Sequence, residues 1–341
     1  MHELIEKFKK LKLEDYPEDL IKNLITEIGK IPIMRSEYHE NKIIYRARPN
    51  DNEDDDFSNI SDLSYKPEKY NNSYQRASTP NRTMFYGALI PEDAREDLNE
   101  NIIKDERAIG AFEVVKFLRD LKIKEGEKVI SYGVWRVKST ISTLSIIQSD
   151  FSKLKVNWLK TVATNFYNRL ENHPDFKEKT LIIQDFLARE FSKHVAEGED
   201  YNYMISGLFS HKACELGVDG ILYPSVKMKG RGLNIALTPE CVDSKLSLVG
   251  AIKCKVYKKC GRIILNNLKQ GRIDEEAGII IWEELPIGKY RTTEEEIRSQ
   301  LLNVRCPEKR KKKRKTKSEK MLRLMKKRER KNLKRRRKTN H

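Results

Sequence analysis

Cysteine is scarce in this chain and poorly placed for pairing. Five cysteines (Cys214, Cys241, Cys254, Cys260 and Cys306) occur in 341 residues. The number is odd and no CxxC pair is present. Cys254 and Cys260 lie close in sequence, but no second Cys or His pair completes a ligand set. A disulfide framework and a zinc site are therefore not expected, and free thiols in a reducing compartment are. Long apolar runs are also missing: nothing approaches the ~20 residues that cross a bilayer. Met1 to Lys12 alternates charge with Leu4, Ile5, Phe8 and Leu11, unlike the continuous apolar run of a signal peptide. The expectation is a cytoplasmic protein without a transmembrane segment. Gly230-Arg231-Gly232 is too short for a dinucleotide fingerprint, so a Rossmann domain is unsupported.

Acidic residues are lacking in one place only. From Lys309 to Lys338 there are 20 Lys and Arg against two Glu, a local charge of +18. Subtracting this from the total of +17 leaves −1 for the rest of the chain. The basic character thus belongs to the tail. No aromatic residue occurs from Lys309 to His341, so base stacking and sequence-specific reading are not expected there. The tail reads as a disordered, self-repelling extension, or as a contact for nucleic acid or an anionic membrane surface.

The remainder reads as α+β. Two short amphipathic helices are expected within residues 1–40, the second opened by Pro17-Glu18-Asp19 with its acidic first turn. Strands are expected over 42–47, 84–89, 129–137, 220–223, 233–237, 246–257 and 262–265. A helix is expected from Glu106 to Leu121, and a helical pattern, carrying His194 and His211, from Phe151 to Leu216. Asp51 to Tyr74, rich in Asp, Asn and Ser, reads as a mobile loop. Thr293-Glu294-Glu295-Glu296 reads as a capping box.

Three segments carry candidate chemistry. Gly220 to Tyr223 is an apolar strand that runs into Pro224, which lacks an N–H and ends pairing. Ser225 then sits at a strand end, where a rigid sheet can present it to a ligand. Arg46 follows Ile43-Ile44-Tyr45, again at a strand end. Glu113 stands among Ile109-Gly110-Ala111-Phe112 and Val114-Val115, where a carboxylate is costly to bury unless partnered. An exposed or ion-paired glutamate, an arginine paired with the acidic loop (Asp51 to Asp56) and a serine closing a turn are the plainer readings.

Taken in chain order, Arg46, Tyr86, Glu113, Asp219-Gly220-Ile221-Leu222-Tyr223-Pro224-Ser225 and Asn234 resemble the RES domain, named for its arginine, glutamate and serine. The resemblance spans about residues 43–240. It is specific at Asp219 to Ser225 and interrupted by an acidic loop, a long Tyr86–Glu113 stretch and a helical insertion. It implies an ADP-ribosyltransferase-like split β-sheet core and a domain organisation of residues 1–40 (helical), 41–290 (catalytic, with the insertion at about 140–205) and 291–341 (helix and basic tail). It further implies an enzyme that cleaves the nicotinamide–ribose bond of NAD, with water or phosphate as acceptor and no required cofactor or metal. Such enzymes are commonly toxins restrained by an antitoxin protein, which would be a partner here.

Under the resemblance, Arg46 holds the pyrophosphate with parallel hydrogen bonds that lysine cannot reproduce. Arg76 or Arg82 supplies a second phosphate contact, with Arg76 preferred. Glu113 stabilises the developing ribosyl cation. Tyr86 stacks on nicotinamide or bonds the ribose, or simply packs the core. Ser225 binds substrate or steers the acceptor, and Asn234 shapes the pocket or fastens the loop 227–232. Two other classes remain open at this level: a transferase that attaches ADP-ribose to a macromolecule, and a non-enzymatic module that binds nucleic acid through the tail.

Overall fold

The computed structural model describes residues 1–89, 106–120, 122–154, 156–225 and 232–304. The basic tail, Cys306 and most of the loop 227–232 lie outside the described residues. Met1–Val304 forms one compact unit. The architecture is mixed α+β, built on a ten-stranded sheet. Its strands are β1 (Arg35–Tyr38), β2 (Ile43–Pro49), β3 (Phe85–Leu89), β4 (Glu125–Val137), β5 (Ile141–Ser145), β6 (Gly220–Pro224), β7 (Leu233–Leu237), β8 (Leu246–Lys259), β9 (Arg262–Asp274) and β10 (Ile279–Glu284). The described α-helices are α1 (His2–Lys9), α2 (Glu18–Ile28), α3 (Glu106–Val114), α4 (Lys116–Arg119), α5 (Asn157–Glu171), α6 (Pro174–Ser192), α7 (Met204–Glu215), α8 (Pro239–Lys245) and α9 (Glu294–Leu302).

The strand order is β1-β5-β6-β7-β3-β2-β4-β8-β9-β10, and only β5–β6 is parallel. One junction is much weaker than the rest. β3 pairs with β7 over five residues and β2 with β4 over seven, but β2 and β3 share the single pair Tyr45↔Ala88. The sheet therefore divides into two five-stranded halves along a seam. At Gly87 the seam leaves no room for a side chain: an added Cβ would lie 2.3 Å from Ile44 Cγ2.

Alternation along the strands places side chains on both faces, and both are covered. Ile221, Tyr223 and Ala236 pack under α1, α2, α6 and α7. Leu222, Leu233, Ile235 and Leu237 join Ile44, Phe85 and Trp135 on the reverse face, with Leu159 and Ala163 of α5. Beyond the seam, α3 and α4 cover Ile130 and Tyr132 of β4 and Cys254 and Val256 of β8.

Several segments differ from the sequence reading. The predicted helix Glu106–Leu121 breaks at Val115 into α3 and α4. Residues 141–145 are a strand of the main sheet, so the inserted helices begin at Asn157. The sequence reading missed β1 and β10: β1 is a short, charged edge strand, whereas β10 opens with the apolar run Ile279-Ile280-Ile281-Trp282 and pairs only with β9. His194 is not helical but lies in the irregular stretch after α6, whereas His211 is in α7. Cys260 is disulfide-bonded, contrary to the expectation of free thiols throughout. Cys214, Cys241 and Cys254 are free.

The acidic stretch is tied down instead of mobile. Asp56 bridges Lys253 (2.8 Å) and Lys269 (2.7 Å), while Glu53 reaches Lys255 at 2.9 Å. The Lys253 side chain is only 2% exposed, so its charge requires this partner. Two 3₁₀ turns, Ile60–Leu63 and Glu68–Tyr70, continue the segment. Asp56 and Glu53 are therefore engaged by β8 and β9, and among the described residues no carboxylate of the stretch pairs with Arg46. The capping box is present, with Glu296 N donating to Thr293 Oγ1 at 3.2 Å and Thr293 N to Glu296 Oε2 at 3.1 Å.

Candidate active site

α3 reaches the seam because of a close approach to β2. An added Cβ on Gly110 would lie 2.9 Å from the Ala47 Cβ, so glycine lets the helix settle directly on the strand. Glu113 is three residues further along and shares that helix face. It stands near the helix end, where Arg119 Nη1 donates to the Glu113 carbonyl at 3.0 Å and satisfies one of the carbonyls a helix terminus leaves unpaired.

The Glu113 carboxylate then meets the strand ends of the other half-sheet. Ser225 Oγ donates to Glu113 Oε1 at 2.9 Å, and Asn234 Nδ2 donates to the same oxygen at 2.9 Å. Ser225 and Asn234 lie 112 and 121 positions from Glu113 in sequence. Ser225 sits immediately after β6, with its N–H bonded to Gly232 O at 2.8 Å. Asn234 lies on β7, directly opposite Tyr223. Two donors on one oxygen fix the carboxylate's orientation and leave Oε2 free of them. Asn234 is thus a partner of the glutamate; most of the loop it was also expected to fasten lies outside the described residues. Asp219, at the far end of β6, is structural: its Oδ2 accepts from Ser142 N and from Lys245 Nζ, both at 2.7 Å.

Arg46 occupies the seam itself. Alternation sends its side chain to the face opposite Ala47, where its guanidinium overlies the Phe85 ring at 5.1 Å. Nη1 crosses to Tyr86 O at 3.0 Å. Its Nε is buried without a hydrogen-bond partner among the described residues. No carboxylate there forms an ion pair with it. Burial, with Arg48 adding repulsion, pulls its pKa down to about 10. A desolvated guanidinium without a counter-ion is costly unless an anion completes it.

The two candidate second arginines separate cleanly. Arg76 lines the same cleft as Arg46, Tyr86, Glu113 and Asn234. Its donors hold the end of α6, through Phe191 O and through Lys193 O at 3.1 Å, and its guanidinium overlies Tyr203 at 5.1 Å. Part of its donor set is therefore already committed to structure. Arg82 lies elsewhere, paired with Glu215 at 3.3 Å beside a second cavity. Tyr86 faces the cleft, but its hydroxyl is engaged by Ala77 N (3.0 Å) and Ser78 Oγ (2.8 Å). Burial pushes its pKa up to about 12.

The cleft has a volume of about 2280 Å³ and is open through the seam, with lining residues from both faces. Ligand pockets typically run to about 300–1,000 Å³, so the cleft is larger than a site for one small ligand requires. The sequence reading missed His194 and Glu197 in the cleft wall; both belong to the stretch after α6, and nothing in their spacing announces it. Glu197 pairs with Lys116 at 2.7 Å across the mouth. Among the described residues no cluster of His, Cys, Asp or Glu can hold a metal ion, and no helix is long and apolar enough to cross a membrane.

The second cavity, about 470 Å³, is lined by His211, Cys214 and Cys241. Burial pushes both thiols up to about 12, so neither is a ready nucleophile. Burial, and then the Arg82 charge, lowers His211 from 6.5 to about 4. In the unfolded chain this histidine takes up a proton below pH 6.5, while the folded one does not until about pH 4. Stability therefore falls as pH drops through that window, by about 3 kcal/mol at most. His211→Gln should remove this part of the loss, seen as a smaller drop in urea midpoint between about pH 7 and pH 4.5. An undiminished drop would locate the acid sensitivity elsewhere.

No family model and no curated protein matches the chain.

Proposed function

We propose that the protein cleaves the nicotinamide–ribose bond of NAD, in the manner of RES-type, ADP-ribosyltransferase-like enzymes. The single observation that carries this reading is the convergence of Ser225 and Asn234 on one oxygen of Glu113. It lies in a cleft that also contains a buried arginine, free of ion pairs among the described residues. A carboxylate with one oxygen unbonded among the described residues and, lining the same cleft, an arginine without an ion pair there suit a substrate with a sugar and a pyrophosphate. The sheet's division at a single-pair seam supports the split-sheet architecture on which the reading depends.

The chemistry asks little of the protein in terms of protons. The bond to be broken joins the ribose carbon to a nitrogen that is already cationic. As it breaks, the electron pair moves to that nitrogen and leaves neutral nicotinamide. Positive charge passes to the ribosyl carbon, giving an oxocarbenium-like state. Glu113 Oε2 accepts a ribose hydroxyl and stabilises that charge as it grows, which is where binding energy accelerates reaction. Ser225 and Asn234 hold the carboxylate in place, and Arg46 anchors the pyrophosphate. Ser225 donates to Glu113 and acts through it. The acceptor oxygen then bonds to the ribosyl carbon, and its proton leaves to solvent.

Quantitative NMR of NAD incubated with the purified protein, with and without phosphate, tests the reading. Nicotinamide should appear together with ADP-ribose or its phosphate ester, which names the acceptor. NAD that stays intact under both conditions would overturn the proposal. The toxin role, an antitoxin partner and a cytoplasmic setting follow only from the RES resemblance and stand or fall with it.

A further inference from the structure

Tyr223 has no assigned part in this chemistry, yet its position is close to the centre of it. It stands opposite Asn234 in the β6–β7 register, which puts their Cβ atoms about 5 Å apart on one face. The residue is 5% exposed, and its ring lies 5.4 Å from that of Phe191. It nevertheless lines the cleft, and no described residue hydrogen-bonds its hydroxyl. The electrostatic neighbours of that hydroxyl are Arg76, Tyr86, Glu113 and Tyr203. The first three are already accounted for. Arg76 holds α6, Tyr86 is engaged by Ala77 and Ser78, and Glu113 receives Ser225 and Asn234. Tyr223 is left as a donor without an acceptor among the described residues. Burial raises its pKa well above 10, so it stays a neutral donor throughout the working range.

We propose that Tyr223 is a specificity residue whose phenol donates a hydrogen bond to the carboxamide oxygen of the departing nicotinamide. The inference rests on the NAD-cleaving reading. Tyr86 and Tyr203 line the same cleft, and aromatic faces suit a flat pyridinium better than a hydrated sugar. A donor there fixes the ring's rotation and so presents the scissile bond to Glu113. The carboxamide is present in both the bound substrate and the transition state. Its contact should therefore act mainly on KM.

The test pairs a side-chain deletion with a substrate deletion. Tyr223→Phe keeps the ring against Phe191 and removes only the hydroxyl. KM for NAD should rise about tenfold with kcat nearly unchanged, the scale of one hydrogen bond to a buried group. Pyridine adenine dinucleotide lacks the carboxamide. Read as a competitive inhibitor, it should bind parent and Tyr223→Phe within about twofold of each other, since it has no acceptor to lose. Equal weakening of NAD and the analogue would show that the hydroxyl serves another part of the ligand, and would overturn the assignment. So would an unchanged KM for NAD. A parent that leaves NAD intact removes the underlying reading, and this inference with it; that result is visible before any variant is compared.

Discussion

Glu113→Gln should lower nicotinamide release by about a thousandfold, or ~4 kcal/mol, the upper range for removing one preorganised electrostatic stabiliser. The substitution is chosen because it keeps the shape. The new amide oxygen can still accept from Ser225 Oγ and Asn234 Nδ2, which both approach Oε1 at 2.9 Å. The α3 contact through Gly110 and Ala47 is untouched. Melting temperature should therefore stay within about 2 °C, a shift that corresponds to about 1 kcal/mol in a domain of this size. Under the proposed reaction, what is lost is the negative charge that would face the ribosyl carbon. A variant that retains more than about a tenth of the parent rate would take the carboxylate out of the chemistry. Loss of rate together with a large drop in melting temperature would instead mark Glu113 as a structural tie between the two half-sheets.

Arg46→Met carries the second large effect, and stability separates its two readings. Buried, with an unpartnered Nε and no ion pair among the described residues, the guanidinium is a liability in the free protein. Its depressed pKa, about 10, reflects that burial. Replacing such a charge with an apolar chain of similar length is neutral or stabilising in comparable buried settings. The loss of the bond to Tyr86 O works the other way, by about 1 kcal/mol. The free protein should therefore melt at the same temperature or higher. NAD turnover should fall by about a hundredfold or more, about 3 kcal/mol, since a desolvated phosphate contact is worth that much. A variant that loses stability and keeps its kcat/KM would show that Arg46 serves the seam and not the substrate. Added NAD should also raise the melting temperature of the parent and not of the variant, because only a ligand that binds the folded state stabilises it.

Much of the fold is legible in local pattern. α1 and α2 follow from helical spacing of apolar residues, β6 and β7 from short apolar runs closed by Pro224 and by Thr238-Pro239. The capping box at Thr293 is visible because its two hydrogen bonds are made within four residues. The failures have different causes. The acidic segment resembles solvated loop because its partners, Lys253, Lys255 and Lys269, lie about 200 positions away. β1 is a four-residue edge strand with too short a pattern to read, while the apolar run that opens β10, Ile279-Ile280-Ile281-Trp282, is a strand signal left unused. His194 reads as helical because α6 leads straight up to it, and the chain stops coiling where Arg76 captures its terminal carbonyls.

The sequence by itself pointed to candidate side chains and the elements that carry them, Ser225 after a proline, Arg46 beside an apolar strand and Glu113 on an apolar helix; Arg46 proves to lie within β2 and not at a strand end. The sequence also confined the excess positive charge to residues 309–338. Tertiary structure decided the rest, because it depends on distances between segments more than 100 residues apart. It joined Glu113 to Ser225 and Asn234, chose Arg76 over Arg82 for the cleft, and gave the Tyr86 hydroxyl to Ala77 and Ser78. It also left Tyr223 beside the carboxylate with a donor to spare. Local propensity sets what each segment can be; only the register of β3, β6 and β7 across a one-pair seam sets what each side chain meets.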